Sequence, residues 1–215
     1  MQCKVAPSVL SADFLNLGKD IQMLNASADI MHLDIMDGTF VPNISFGFSV
    51  LDQLGKVAEI PMDAHLMVVN PHKWFENLKK DGVEMVSFHW EAAKRRTAEN
   101  IDMIHALGMK AGVAVNPDIP VKKLFPYIGK ADFFLIMSVF AGFGGQKFIP
   151  ESLERVAVLR AEIKRRKADA LIEIDGGINA DNIAAVRDAG VNIAVAGSAV
   201  FKSDDPGAVI KVLRG

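Results

Sequence analysis

The feature that most constrains this chain is a rhythm. Short apolar runs rich in β-branched residues alternate with longer amphipathic stretches from one end of the sequence to the other. The runs fall near residues 3–8, 29–35, 62–68, 84–88, 110–115, 133–138, 171–174 and 192–196, and each reads as a strand. Helical patterns lie between them at 14–24, 71–80, 98–107, 150–166 and 182–189. Pro71 after Asn70 reads as a first helical residue behind its cap, while Gly82, Gly108 and Gly190 stand where a left-handed residue ends a helix. Eight such units in 215 residues leave about 27 residues each, room for a strand, a helix and two short connections. The spacing predicts an α/β fold, a single (β/α)8 TIM barrel forming one domain over residues 1–215. A doubly wound open sheet would show Gly-x-Gly-x-x-Gly after its first strand, and Ser8-Val9-Leu10-Ser11-Ala12-Asp13 holds no glycine.

Charge and composition narrow the function classes. Lys and Arg number 24 against 26 Asp and Glu, so the chain carries no basic surplus for nucleic acid; the short run Lys164, Arg165, Arg166, Lys167 reads as the dipole-matched end of a helix. The longest charge-free stretches, 38–51 and 133–146, are too short for a membrane helix, which needs roughly 18 or more apolar residues. One cysteine, Cys3, makes no internal disulfide and no thiolate zinc site. The first residues, Met1-Gln2-Cys3-Lys4-Val5-Ala6-Pro7, lack the pattern of an export signal. A cytoplasmic protein with no nucleic-acid or membrane partner is expected.

In such a barrel the chemistry belongs at the carboxyl ends of the strands. The second strand carries His32 and Asp34, two residues apart and so on one side; the third supplies His65 and the seventh Asp175. Singly, each reads as a satisfied core histidine or a turn cap. Together they form a first shell suited to a divalent first-row metal, and a cation offsets the cost of burying two carboxylates. Met36, Met67 and Met137 lie at the same ends, either filling core or forming an apolar collar that excludes water. Gly142, Phe143, Gly144 and Gly145 follow the sixth strand, Gly176 and Gly177 the seventh, Gly197 and Ser198 the eighth. Three such clusters at adjacent barrel positions suggest a cradle of backbone N–H groups for a phosphate. His72 and His105 read as surface residues on helices, and His89 as a mouth residue or a structural hydrogen-bonding group.

Pro7-Ser8-Val9-Leu10-Ser11-Ala12-Asp13-Phe14, His32-Leu33-Asp34-Ile35-Met36-Asp37-Gly38-Thr39-Phe40-Val41-Pro42-Asn43, His65-Leu66-Met67-Val68, Gly142-Phe143-Gly144-Gly145-Gln146-Lys147-Phe148, Asp175-Gly176-Gly177-Ile178 and Gly197-Ser198-Ala199-Val200-Phe201 resemble, in order, the signatures of the ribulose-phosphate 3-epimerase family. The resemblance spans nearly the whole chain. It implies a barrel of the ribulose-phosphate-binding type and a homo-oligomer that takes a ketose phosphate. It further implies one divalent metal, commonly zinc with iron, manganese or cobalt as alternatives, held by His32, Asp34, His65 and Asp175. Asp34 and Asp175 would be the catalytic acid/base pair, inverting C3 of D-ribulose 5-phosphate to give D-xylulose 5-phosphate through a metal-stabilised enediolate, a step of the pentose phosphate pathway. Ser8 and His65 would touch substrate, and the glycine clusters with Ser198 would hold its phosphate.

The family pattern Val-x-Pro-Gly-Phe-Gly-Gly reads here Val139-Phe140-Ala141-Gly142-Phe143-Gly144-Gly145. Bulky Phe140 and Ala141 in place of proline keep open a six-carbon substrate, as in the related allulose-6-phosphate 3-epimerases. Orotidine-phosphate-decarboxylase-like barrels resemble Asp-x-Lys-x-x-Asp at the second strand, and Asp34-Ile35-Met36-Asp37 has no such lysine. A sugar-phosphate binder without turnover is the alternative of another class, although both carboxylates and both histidines are in place.

Overall fold

A computed structural model describes residues 2–215; Met1, part of the stretch read for an export signal, lies outside the described residues. Eight parallel strands form one sheet: β1 (Lys4–Pro7), β2 (Met31–Met36), β3 (Met62–Met67), β4 (Met85–His89), β5 (Lys110–Val115), β6 (Phe133–Met137), β7 (Leu171–Asp175) and β8 (Ile193–Ala196). Strands β2 to β8 pair in sequence order, β8 also pairs with β1, and an isolated parallel bridge between Ser8 and His32 brings the two sheet edges β1 and β2 together, so the barrel is nearly closed. The helices are α1 (Leu17–Ser27), α2 (Phe48–Val57), α3 (Phe75–Lys80), α4 (Trp90–Ala93), α5 (Thr97–Ala106), α6 (Ser152–Arg166), α7 (Ile183–Asp188), α8 (Ser198–Phe201) and α9 (Pro206–Arg214). No described helix is long and apolar enough to cross a membrane.

Strand alternation sorts the core into two populations. Leu33, Ala64, Val86, Val113, Ile136, Ile172 and Ala194 point outward and merge with the helix faces in one large cluster. Residues one position away point into the lumen, where Ala6, Met85, Phe133, Ile193 and Val195 form a separate apolar floor. Above this floor the lumen turns polar. His32, Asp63, Ser87 and Glu173 are each 0% exposed; His32 pairs with Asp63, while Ser87 Oγ and both Glu173 carboxylate oxygens have no hydrogen-bond partner among the described residues.

Several expected boundaries move, for local reasons. The helix expected over 71–80 is a 3-10 turn (Pro71–Lys73) followed by α3, and Asn70 sits at φ 53° with no side-chain cap bond, so it bends the chain instead of capping it. The helix expected from residue 14 starts at Leu17, because the Asp13 carboxylate accepts from Leu15 N and Asn16 Nδ2 and holds a turn there. After β5 the crossover is a 3-10 segment, Val121–Tyr127, with Pro126 inside it, since proline lacks the N–H that an α-helix requires. Gly82, Gly108 and Gly190 do adopt positive φ where helices end. His105 is exposed on α5, whereas His72 lies half-buried in the 3-10 turn and takes a hydrogen bond from Arg96.

Candidate active site

Register alone puts acid beside base. In the β2–β3 ladder His32 lies opposite Asp63 and Asp34 opposite His65, so two adjacent lumen layers each pair an imidazole with a carboxylate. In the lower layer His32 Nδ1 donates to Asp63 Oδ2 at 2.7 Å, and Glu173 Oε1 stands 3.4 Å from the same nitrogen. In the upper layer His65 Nδ1 is 3.0 Å from Asp34 Oδ1 and 4.0 Å from Asp175 Oδ2. Ser8 donates to Asp34 Oδ2 at 2.5 Å, and Ser45 donates to the Asp34 backbone carbonyl at 2.6 Å while accepting from Met36 N. Asp34 is thus fixed from three sides.

Whether these residues suit a metal is decided by His32 Nε2. Its partner nitrogen carries the proton given to Asp63, and Nε2 itself has no hydrogen-bond partner among the described residues although it lies 3.4 Å from Asp34 Oδ1. Ligand atoms of His32, Asp34, His65 and Asp175 all lie within 4.8 Å of one another. Two imidazole nitrogens and two carboxylate oxygens aimed at one spot are a fitting donor set for zinc or a similar cation. The local field agrees. Burial alone would lower the pKa of His32, but Asp34 and the carboxylates behind it raise it well above the ordinary histidine value. A spot that holds a proton so firmly is one that positive charge stabilises.

The two acid/base candidates are driven apart. For Asp34, burial opposes ionisation, yet His32 and His65 override it and hold the carboxyl well below its usual range. Burial, then the Asp34 charge, push Asp175 up to about 7. Burial also depresses His65 to about 4, so its ring is neutral. One carboxylate ionised beside another poised near neutrality is the pattern expected of a base and an acid sharing a site.

The remaining sequence candidates gather around one open cavity. It is lined by Ser8, Asp34, Asp175, the methionines Met36, Met67 and Met137, and the glycine clusters Gly142, Phe143, Gly144, Gly145, Gly176, Gly177, Gly197 and Ser198. His32 and His65 lie behind this wall, fully buried. His89 is buried too, its Nε2 2.9 Å from His65 Nε2 and its ring 4.8 Å from that of Phe40. Asn43 Nδ2 donates to the Gly142 carbonyl, tying the loop after β2 to the loop after β6 across the mouth. Gly176 has φ +123°, and a Cβ there would meet Val139 Cγ2 at 2.5 Å. Gly176→Ala should therefore lose about 2–4 kcal/mol of stability in a denaturant titration, from backbone strain plus overpacking. A loss below about 0.5 kcal/mol would show that the turn relaxes freely.

Some functional neighbours were not singled out beforehand. Asp63 and Glu173 each sit two residues before a candidate ligand, so the period-two argument that joined His32 to Asp34 also reaches them. Asn116 and Arg155 carry no such signal. Arg155 donates to the carbonyls of Met137, Asn116 and Ile119 and so clamps the ends of β5 and β6 together.

Fold and site together define a (β/α)8-barrel enzyme with a histidine-carboxylate centre beside a glycine-lined cavity. The chain belongs to the Ribulose-phosphate 3 epimerase family, whose profile matches residues 4–201, and it is accordingly an isomerase of the epimerase type. It is 44% identical over 210 residues to ribulose-phosphate 3-epimerase of Mycobacterium tuberculosis (strain ATCC 25618 / H37Rv), covering 98% of this chain and 91% of that protein. The Bacillus subtilis (strain 168) protein of the same name is 41% identical over 214 residues, covering 99% and 98%. The rice protein named ribulose-phosphate 3-epimerase, cytoplasmic isoform (Oryza sativa subsp. japonica), is 43% identical over 216 residues, covering 98% and 92%. Among solved structures, 3-hexulose-6-phosphate synthase superposes with TM-score 0.68 at 21% identity, covering 100% of this chain and 98% of that one, a likeness of fold alone.

Proposed function

We propose that the protein inverts C3 of a phosphorylated 2-ketose, converting D-ribulose 5-phosphate to D-xylulose 5-phosphate. The observation that carries this reading is that Asp34 and Asp175, from strands β2 and β7, line one cavity and reach the same His65 nitrogen, at 3.0 and 4.0 Å. Inversion requires a proton to leave one face of C3 and another to arrive on the opposite face. One carboxylate takes the C3 proton; the other, protonated, returns one. The two protonation states are then exchanged and re-equilibrate with solvent before the next turnover in the same direction. His32, Asp34, His65 and Asp175 would hold a divalent cation, zinc by donor type with iron, manganese or cobalt also accommodated. When bound, that cation supplies Lewis-acid stabilisation of charge developing on the C2 oxygen, worth several kcal/mol.

Ser8, which lines the cavity, orients the substrate end next to the carboxylates; His65, expected from the resemblance to touch substrate, lies buried behind the wall and would act on it only through Asp34 and the cation. Backbone N–H groups of Gly176, Gly177, Gly197 and Ser198, with the loop from Gly142 to Gly145, hold its phosphate, so that C3 is kept in register. Met36, Met67 and Met137 form the collar that keeps water from the reacting carbon. The names of the related proteins support the five-carbon substrate; Phe140 and Ala141 in the cavity wall favour a second reading, D-allulose 6-phosphate. A buried lone Cys3 suits a reducing compartment, and the cytoplasm is proposed accordingly. A second copy of the chain would cover the exposed Leu15 and Ile44 beside the Phe14–Phe46 ring pair.

A side-by-side assay of metal-replete protein tests the assignment. D-ribulose 5-phosphate is expected to give kcat/KM at least ~10-fold above that for D-allulose 6-phosphate, about 1.4 kcal/mol of discrimination and the scale of one extra carbon in a fitted pocket. Solvent deuterium should enter C3 during turnover. Binding of either ketose phosphate without exchange would leave only a sugar-phosphate binder.

A further inference from the structure

Beyond the four residues that face the cation site, a second line of polar groups runs away from it. His65 presents Nδ1 to Asp34 and Asp175, and its other ring nitrogen, Nε2, is 2.9 Å from His89 Nε2. The two rings are stacked with centroids 5.0 Å apart, and the Phe40 ring lies 4.8 Å from that of His89. His89 Nδ1 lies 3.5 Å from Glu91 Oε1. That oxygen also accepts from Asn116 N and Asn116 Nδ2, each at 3.0 Å, and Asn116 Oδ1 accepts from Ala141 N at 3.0 Å. All of His89 is buried, so its two ring nitrogens have no water to choose.

We infer that His89 and Glu91 are positioning residues: they hold His65 in the tautomer that leaves its Nδ1 lone pair free for the divalent cation. This rests on the reading that His65 is a cation ligand. The proton count along the chain allows one consistent arrangement. A ligating Nδ1 carries no proton, so the neutral His65 ring bears its proton on Nε2 and donates it to His89. His89 Nε2 must then be the acceptor, which places the His89 proton on Nδ1, facing Glu91. Glu91 Oε1 ends the chain as a pure acceptor, for it already takes two N–H groups from Asn116. Asn116 is in turn anchored at its carbonyl by Arg155, so the far end of the chain is bound to the ends of β5 and β6. His32 is arranged in the same sense by a shorter route, its Nδ1 proton going directly to Asp63. His32 thus rests its outer nitrogen on a buried carboxylate directly, and His65 through His89 on the half-buried Glu91, the device by which outer groups orient metal-ligating histidines.

The test reads ring protonation and metal affinity, not turnover. In zinc-loaded wild-type protein, ring 15N shifts are expected to show His65 protonated on Nε2 and His89 protonated on Nδ1. His89→Phe keeps the stacked ring but removes the acceptor, and zinc affinity by chelator competition should fall about 10- to 100-fold. His89→Gln places an amide oxygen within reach of the former Nε2 position and should recover most of that loss. The inference is overturned if zinc-loaded His89 carries its proton on Nε2, or if folded His89→Phe binds zinc as tightly as wild type. Should His89→Phe fail to fold, the wild-type ring shifts decide alone. Failure of wild-type protein to bind zinc, iron, manganese or cobalt would instead remove the ligand assignment on which the inference stands.

Discussion

Asp175→Asn is expected to lower kcat at least ~10³-fold with the fold unchanged, and Asp34→Asn to do the same, because each positioned carboxylate contributes on the order of 10²- to 10⁴-fold and inversion needs both. The more informative result lies in isotope exchange. A variant that keeps only one carboxylate still has a base on one face of C3, so it can take a proton and return solvent deuterium to the same face without making the other epimer. Incubated in D2O, each variant should therefore label one epimer at C3 and not the other, and the two variants should label opposite epimers. Both residues also belong to the cluster that could hold a cation, so bound metal must be measured in each variant, and the comparison made at matched occupancy. Asparagine keeps a carbonyl oxygen for that purpose. Near-normal turnover in either variant would refute the two-carboxylate mechanism, and labelling of the same epimer by both would place the two groups on one face.

How far the sequence carried this reading depends on how local each signal is. The strands were legible because β6 is a bounded apolar run while β2 and β3 alternate apolar residues with His and Asp, and parallel order follows from intervening helices. The helix boundaries were less so. α2 begins behind Gly47, which offers no capping side chain, and Asn70 has capping chemistry but uses a left-handed backbone to turn the chain. Of the site, His32, Asp34, His65 and Asp175 could be gathered by period-two geometry at strand ends. The same rule would have reached Asp63 and Glu173, yet neither was drawn out, since a carboxylate inside a barrel reads as a ligand only once its neighbour is known. The contacts of His89, Glu91 and Asn116 depend on how β3, β4 and β5 stand side by side, at separations of 24 and 25 residues, and no spacing along the chain encodes them.

Removing the cation should cost stability in a way that grows with pH. Without it, positive charge at the centre is supplied by protons. Asp175, raised to about 7 from an ordinary value of 3.8, contributes stability that is fully present at low pH and is lost as pH rises through about 7. His32, raised above its ordinary 6.5, contributes stability that is likewise lost on the alkaline side, as its own proton leaves. Asp34 behaves oppositely, but its depressed value confines that loss to strongly acid solution, outside the window of interest. Metal-free protein should accordingly soften between pH 5.5 and pH 8, while a divalent cation competes with those same protons and binds more tightly as they depart. At free zinc about 100-fold above its Kd the gain is about 2.7 kcal/mol, roughly 5–10 °C in Tm for a chain of this length. Thermal scans of chelated and zinc-loaded protein at pH 5.5, 6.5, 7.5 and 8 measure it directly, with a separation that widens at each step. A separation that stays flat or narrows with pH would mean that the cation does not take the place of the protons on His32 and Asp175, and the centre would have to be assigned elsewhere in the barrel.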